Sequence, residues 1–370
     1  MHTSSSTALG PRTPDMRQRI RRHLAAVVAA LAAAITALLT APAPAEAMPD
    51  TASPACVRHD TAATLTADAP RYRIAGWLCT PPHPTNTVQL LLSGFTYSHT
   101  YWTTSEPSTD WVSAALGSGQ AVYMIDRVGV GASDRPPAEQ VTADSEAQVT
   151  HQIVTALRDG TLGHFRKVIG VGHSYGSIVW MAEAASHRDV DALVLTGMLH
   201  QLPPDQLTAF VGALHPAAAD PKFTHAAMPG GYVTTQPGSR AAFFLDPDTA
   251  TPGAASFDEA TKSTGTTGEL AFTTETETRY SRQIRVPVLT IVGASDALLC
   301  TADLPCTTGT QLCQRERPAY AAHLPLSTAS IPQTGHSITL HRTATAAASI
   351  ANRWITGHAR RDPHVTTCPA

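Results

Sequence analysis

Several function classes are excluded by what this sequence lacks. Charged residues make up only 15% of the chain and the formal net charge is −3. There is thus no clustered basic excess of the kind that nucleic-acid binding requires. No C-x₂-C pair and no histidine at zinc-finger spacing accompanies Cys300, Cys306 and Cys313, which sets a zinc site aside. No metal ion or other cofactor is expected. Internal repeats are absent, and no cysteine closes the N-terminal apolar run, so a lipoprotein anchor is not expected either. A small molecule is left as the expected partner, and the oligomeric state stays open.

The chain has 370 residues, 43% of them hydrophobic, enough for one large α/β domain or two small ones and for a substantial core. Its first fifty residues read as a targeting segment. Arg17, Arg19, Arg21 and Arg22 precede an Ala/Leu/Val run from Leu24 to Thr40, and Ala45-Glu46-Ala47 offers a small-x-small cleavage site. A membrane anchor is the competing reading, since about 18 apolar residues nearly span a bilayer. Alanine is only weakly apolar and the cleavage site follows at once. Residues 1–47 are therefore expected to be a removed signal peptide, residues 48–370 a secreted domain with no stable membrane span.

All six cysteines, Cys56, Cys79, Cys300, Cys306, Cys313 and Cys368, follow that site. An even number in an exported chain implies disulfides. The connectivity stays open, with Cys56–Cys79 the first choice because the two flank a short stretch of strand character.

After residue 50, short apolar runs alternate with helical patterns, the mark of a mostly parallel sheet covered by helices. Strands are predicted at 71–79, 88–92, 121–125, 168–171, 192–196, 288–292 and 327–331. Helices are predicted at 109–116, 145–158, 177–185 and 343–355. Residues 199–283 break this rhythm, being rich in Pro, Gly, Thr and Ala with scattered Phe210, Phe223, Tyr232, Phe243 and Phe244. So long a structureless loop is improbable in a compact domain. The expectation is a helical cap inserted before a late strand, with helices near 204–214 and 257–262.

The run Gly172-His173-Ser174-Tyr175-Gly176 lies where a strand gives way to a helix, the context a nucleophile elbow demands. There the serine must hold a strained positive φ to project its hydroxyl, while Gly172 and Gly176 keep side chains out of the crowded turn. The helix N-terminus then underlies a developing oxyanion, to which the Tyr175 N–H can donate. From about residue 71 to 356 the chain resembles the α/β-hydrolase superfamily. Leu91-Leu92-Ser93-Gly94-Phe95 resembles the family's oxyanion loop, with Ser93 in place of the usual His, which implies the Phe95 N–H as second donor. Asp126-Arg127-Val128-Gly129-Val130-Gly131-Ala132-Ser133 resembles the family's turn segment ahead of the elbow and reads as structural.

The family order Ser…Asp…His implies Asp296, at the end of the 288–292 strand, as the acid, with Asp303 as runner-up. It implies His336 as the base, with His341, placed on the final helix, as the lesser candidate; His173 is expected to pack inside the elbow. A trypsin-like peptidase is not indicated, because the His-before-Ser order is missing. The resemblance implies an acyl-enzyme serine hydrolase acting on a carboxylic ester. Lactonase, thioesterase or acyltransferase chemistry on a natural product is the alternative, and an exopeptidase or a non-catalytic binding protein the weaker readings.

Overall fold

Apolar runs of four to seven residues become the inner strands because both of their faces are covered. A computed structural model describes residues 56–67, 69–104, 110–357 and 363–370; the expected signal peptide at 1–47 lies outside them. In chain order the strands are β1 (Cys56–Arg58), β2 (Thr61–Thr64), β3 (Arg71–Ile74), β4 (Gly76–Cys79), β5 (Thr87–Leu92), β6 (Ala121–Ile125), β7 (Lys167–His173), β8 (Ala192–Thr196), β9 (Leu214–Pro216), β10 (Tyr232–Thr235), β11 (Gly265–Thr266), β12 (Val288–Gly293), β13 (Leu326–Ile331) and β14 (Thr366–Thr367). The main sheet has the order β1-β4-β6-β5-β7-β8-β12-β13-β14. Every pairing from β6 through β13 is parallel, and the pairings involving β1, β4 and β14 are antiparallel. The fold is a mostly parallel α/β-hydrolase sheet.

The helices are α1 (Trp111–Gly117), α2 (Ala143–Asp159), α3 (Tyr175–Ser186), α4 (Pro204–Gly212), α5 (Arg240–Phe244), α6 (Ala254–Thr261), α7 (Thr274–Ser281), α8 (Gly309–Glu316) and α9 (Ala344–Ile355). Local chemistry starts and stops them. The Asp110 side chain accepts the Ser113 N–H to begin α1, Thr142 and Ser145 form a capping box for α2, and Gly160 at φ 100° ends α2.

Helices cover both faces of the sheet, as the pleat alternation at β5 and β7 demonstrates. Gln89 stands in register with Ile169, and Leu90 with Gly170. Gln89 bonds the Trp111 indole of α1 and Asn352 of α9, whereas a Cβ on the next layer, at Gly170, would meet Trp180 of α3. Successive strand residues point to opposite faces, so α1 and α9 lie across the sheet from α3 and its neighbour α2.

Two expectations need correction. The strand predicted at 71–79 divides at Ala75, whose N–H donates to Ser133 Oγ and whose carbonyl accepts the Asp126 N–H. Diverted there, β3 pairs with β2 and β4 joins the main sheet. The 199–283 segment is not purely helical: besides α4 to α7 it holds a three-stranded sheet, β11-β10-β9. The β-branched and aromatic run Tyr-Val-Thr-Thr at 232–235 suits a strand better than a helix. Since β8 and β12 pair directly, the whole segment leaves the sheet and returns to the adjacent position.

The sulfurs pair as Cys56–Cys79, Cys300–Cys306 and Cys313–Cys368. Cys56 and Cys79 are direct cross-strand partners of β1 and β4.

Candidate active site

The parallel strands end on one edge of the sheet, where open α/β sheets build their ligand sites. Residues 93–95 follow β5, Ser174 follows β7, Asp296 lies three residues past β12 and His336 five past β13.

Ser174 sits at φ 51° and ψ −120° at the head of α3, and its hydroxyl makes no capping bond. Its N–H donates to the Thr196 carbonyl at 2.8 Å and its own carbonyl accepts the Ser177 N–H at 2.8 Å. The strained conformation is thus pinned on both sides. A Cβ on Gly172 would fall 2.6 Å from the Ser177 backbone, and one on Gly176 would strike the carbonyl oxygens of Leu92 and Ser93. Both glycines are required by close approach.

His336 and Asp296 are buried together. His336 Nδ1 lies 2.8 Å from Asp296 Oδ2, and Asp296 Oδ1 accepts the N–H groups of Leu298 and Leu299 at 3.0 and 3.2 Å. Cys300 donates its N–H to the Asp296 carbonyl at 2.9 Å, so the Cys300–Cys306 loop continues directly from the turn that holds the carboxylate.

The runners-up lie elsewhere. Asp303 is exposed and lines a separate cleft. His341 is not on the final helix: it follows a 3₁₀ turn at Ile338–Leu340, ahead of α9. Its Nε2 accepts the N–H groups of Gly335 and Asp246, and its Nδ1 bonds the Ser337 carbonyl. With both ring nitrogens committed to bracing the loop, and burial lowering its proton affinity, it is a structural residue. His173 packs inside the elbow, stacked on Tyr101 with 4.1 Å between ring centroids. Burial, and the nearby His336, hold it well below the ordinary histidine value, so it stays uncharged beside the site.

The loop after β5 is held by a residue that the sequence reading treated only as part of a turn. Arg127 Nε donates to the Ser93 carbonyl at 2.9 Å and Nη2 to the Gly94 carbonyl at 3.2 Å. Its Nη1 reaches Glu146 of α2 and Glu269 of the inserted segment. Burial opposes the Arg127 charge, but the two carboxylates outweigh it and raise its proton affinity. No peptide here is cis. With the Gly94 carbonyl turned to Arg127, the Phe95 N–H of the same planar unit points the opposite way. The loop lies against Ser174, since a Cβ on Gly94 would come 3.0 Å from the Ser174 Cβ. Tyr175, the first residue of α3, has an N–H with no intrahelical acceptor.

Ser174 and His336 open into one pocket. Its walls are Phe95, Ile178 of α3, Met198 and Leu199 after β8, Leu207 and Phe210 of α4, Leu270, Phe272, Leu298 and Leu299, with Glu277 of α7 among them. Such an arrangement can hold an apolar acyl group while a serine, an imidazole and backbone donors meet at its carbonyl.

The one set of metal-ligand side chains found among the described residues is His151, Glu183 and Asp189, whose candidate atoms lie within 4.8 Å of one another. Glu183 is nine residues beyond Ser174 along α3 and none of the three lines the pocket.

Against known families, residues 89–348 match the model of the alpha/beta hydrolase family. The chain belongs to that family. Among solved structures, it is similar in fold to carboxylesterase CesB from Bacillus subtilis, at 14% identity and TM-score 0.53, covering 81% of this chain and 92% of that one. It is likewise similar to a monoacylglycerol lipase from Paleococcus ferrophilus (15%, TM-score 0.53, 77% and 99% covered). A bacterial membrane phospholipase A is a third (16%, TM-score 0.52, 83% and 87% covered). At these identities the likeness is one of fold. No curated protein matches the sequence.

Arg127, its two glutamates and Glu277 escaped the sequence reading. Arg127 stood inside a recognised segment, but nothing local announces that its partners lie 19 and 142 residues away.

Proposed function

We propose that this hydrolase is an exported carboxylic-ester hydrolase whose nucleophile is Ser174, base His336 and acid Asp296. The observation that carries the reading is the junction of an uncommitted hydroxyl at a strained helix start with the 2.8 Å His336–Asp296 pair in one apolar pocket.

Asp296, saturated by its backbone donors, holds Nδ1 of His336 protonated and leaves Nε2 to accept a proton. Nε2 takes the Ser174 proton as Oγ attacks the ester carbonyl carbon. The carbonyl electron pair moves to the oxygen, where the N–H groups of Phe95 and Tyr175 stabilise it together with the dipole of α3. Collapse breaks the bond to the alcohol oxygen, which leaves with the proton from His336. Water, deprotonated by the same imidazole, then attacks the acyl-enzyme, and the acid departs as Ser174 regains its proton.

An apolar acyl group suits the hydrocarbon walls. Export is supported by the basic and apolar N-terminal pattern with its Ala-x-Ala site, and by the pairing of all six cysteines. Turnover of p-nitrophenyl esters tests the reading: wild type hydrolyses them and Ser174→Ala does not. A Ser174→Ala variant that retains ester hydrolysis overturns it.

A further inference from the structure

Glu277 is the one carboxylic acid among the described residues of the pocket wall, and its side chain makes no hydrogen bond within the fold. It is 1% exposed, and neither carboxyl oxygen meets a hydrogen-bond partner. Beside it, His200 gives its backbone N–H to Glu316 at 3.0 Å and holds Nδ1 2.8 Å from the other Glu316 oxygen, while its Nε2, like the Glu277 carboxyl, has no hydrogen-bond partner. Buried polar groups are almost always paired, and an orphan in a native site calls for an explanation. Glu277 lines the same pocket as Ser174 and His336, with Leu270, Phe272 and Leu298 also on its wall.

We propose that Glu277 sets acyl specificity by hydrogen-bonding a hydroxyl carried on the substrate's otherwise apolar acyl chain, an inference that rests on the ester-hydrolase reading. A neutral group is favoured over a cation on two grounds. Burial pushes Glu277 up to about 8, so near neutral pH it offers both a donor and an acceptor. Its neighbour His200 has raised proton affinity despite burial, through Glu316, so an ammonium beside it would compete with the proton that His200 is disposed to hold. A site built around a buried polar group rejects the analogue that leaves it unpaired far more strongly than a hydrocarbon pocket rejects an extra methylene.

Two matched series of p-nitrophenyl esters test this, straight-chain acyl groups of increasing length with and without a terminal hydroxyl. A third series carries a terminal amine. At one chain length, wild type should favour the hydroxyacyl ester by about tenfold or more in kcat/KM. Glu277→Leu should bring that ratio to about one or below, and Glu277→Gln, which still donates and accepts, should retain a preference. Ratios are taken within each variant, so incomplete folding cancels. A wild-type ratio near one at every length overturns the proposal, as does a preference that survives in Glu277→Leu. Preference for the amine overturns the neutral choice and makes Glu277 a cation receptor. Failure of the underlying reading looks different: no ester in any series is turned over.

Discussion

Between β8 and β12 the chain departs from the sheet and comes back, and the regions on either side of that departure are held by different forces. In the sheet, Val88, Leu90, Val168, Leu193, Leu289 and Ile291 have no exposed surface, and cohesion comes from hydrocarbon and ladder hydrogen bonds. The inserted segment adds buried ion pairs to its smaller apolar clusters. Arg240 grips Asp258 through two bonds of 2.8 and 3.1 Å, both side chains 1% exposed. Lys262 lies between Asp220 at 2.8 Å and Glu259 at 2.7 Å. Arg240 also reaches the loop after β5, donating to Thr96 Oγ1 at 2.9 Å, and a further ion pair, Arg127–Glu269, ties the segment to the Ser93–Gly94 carbonyls. Apolar packing is forgiving in direction, whereas a buried ion pair fails if its partner moves. The sheet thus sets where the reacting groups stand, and the ionic contacts fix how the inserted segment sits against them.

The comparison can be broken at several points. The largest effect belongs to the sheet edge: His336→Ala should lower kcat by on the order of 10⁴-fold in steady-state assays, because triad members act as a unit. His341→Ala, which removes only a loop brace, should cost far less. Asp258→Ala strands the Arg240 charge and should cost about 3–5 kcal/mol in chemical denaturation. Its counterpart in the sheet, Ile291→Val, should cost about 0.5–1.5 kcal/mol; equal costs would erase the distinction. Arg127→Met should reduce kcat by about 10²-fold with little change in KM, since the loop it holds serves the oxyanion rather than the ground state. An effect confined to KM would place Arg127 in substrate binding instead.

A further effect is a pH dependence. Glu277 rises from an ordinary 4.5 to about 8 on burial, against the pull of His200 and with the push of Glu316. Its folded form holds the proton more tightly than its unfolded form, so its contribution to stability is complete below pH 4.5 and is lost as pH rises through about 8. Glu277→Gln does not titrate. Its melting temperature relative to wild type should climb across that window and level off above it.

The difference between the regions also explains how much could be read in the sequence. Strands such as Ala121–Ile125 and Ala192–Thr196 are apolar runs bounded by turn residues, and their lateral order follows from parallel crossovers. The elbow was legible because close approach demands glycine at 172 and 176, a chemical requirement visible in one dimension. His336 and Asp296 were reachable through position after a strand. The sheet β9–β11, the Arg240–Asp258 pair and the Arg127 contacts were not, because each depends on partners far apart in the chain and obeys no periodicity. The placement of His341 failed for a related reason: a 3₁₀ turn at Ile338–Leu340 separates it from the helix that its spacing suggested.

The central claim is that Ser174 is the reacting atom's owner, and covalent capture reads this directly. Treatment with a fluorophosphonate followed by peptide mass mapping should place a single adduct on Ser174 in the wild-type protein, with none in Ser174→Ala and a much slower reaction in His336→Ala. An adduct on any other residue, or labelling of Ser174→Ala at the wild-type rate, would contradict the account.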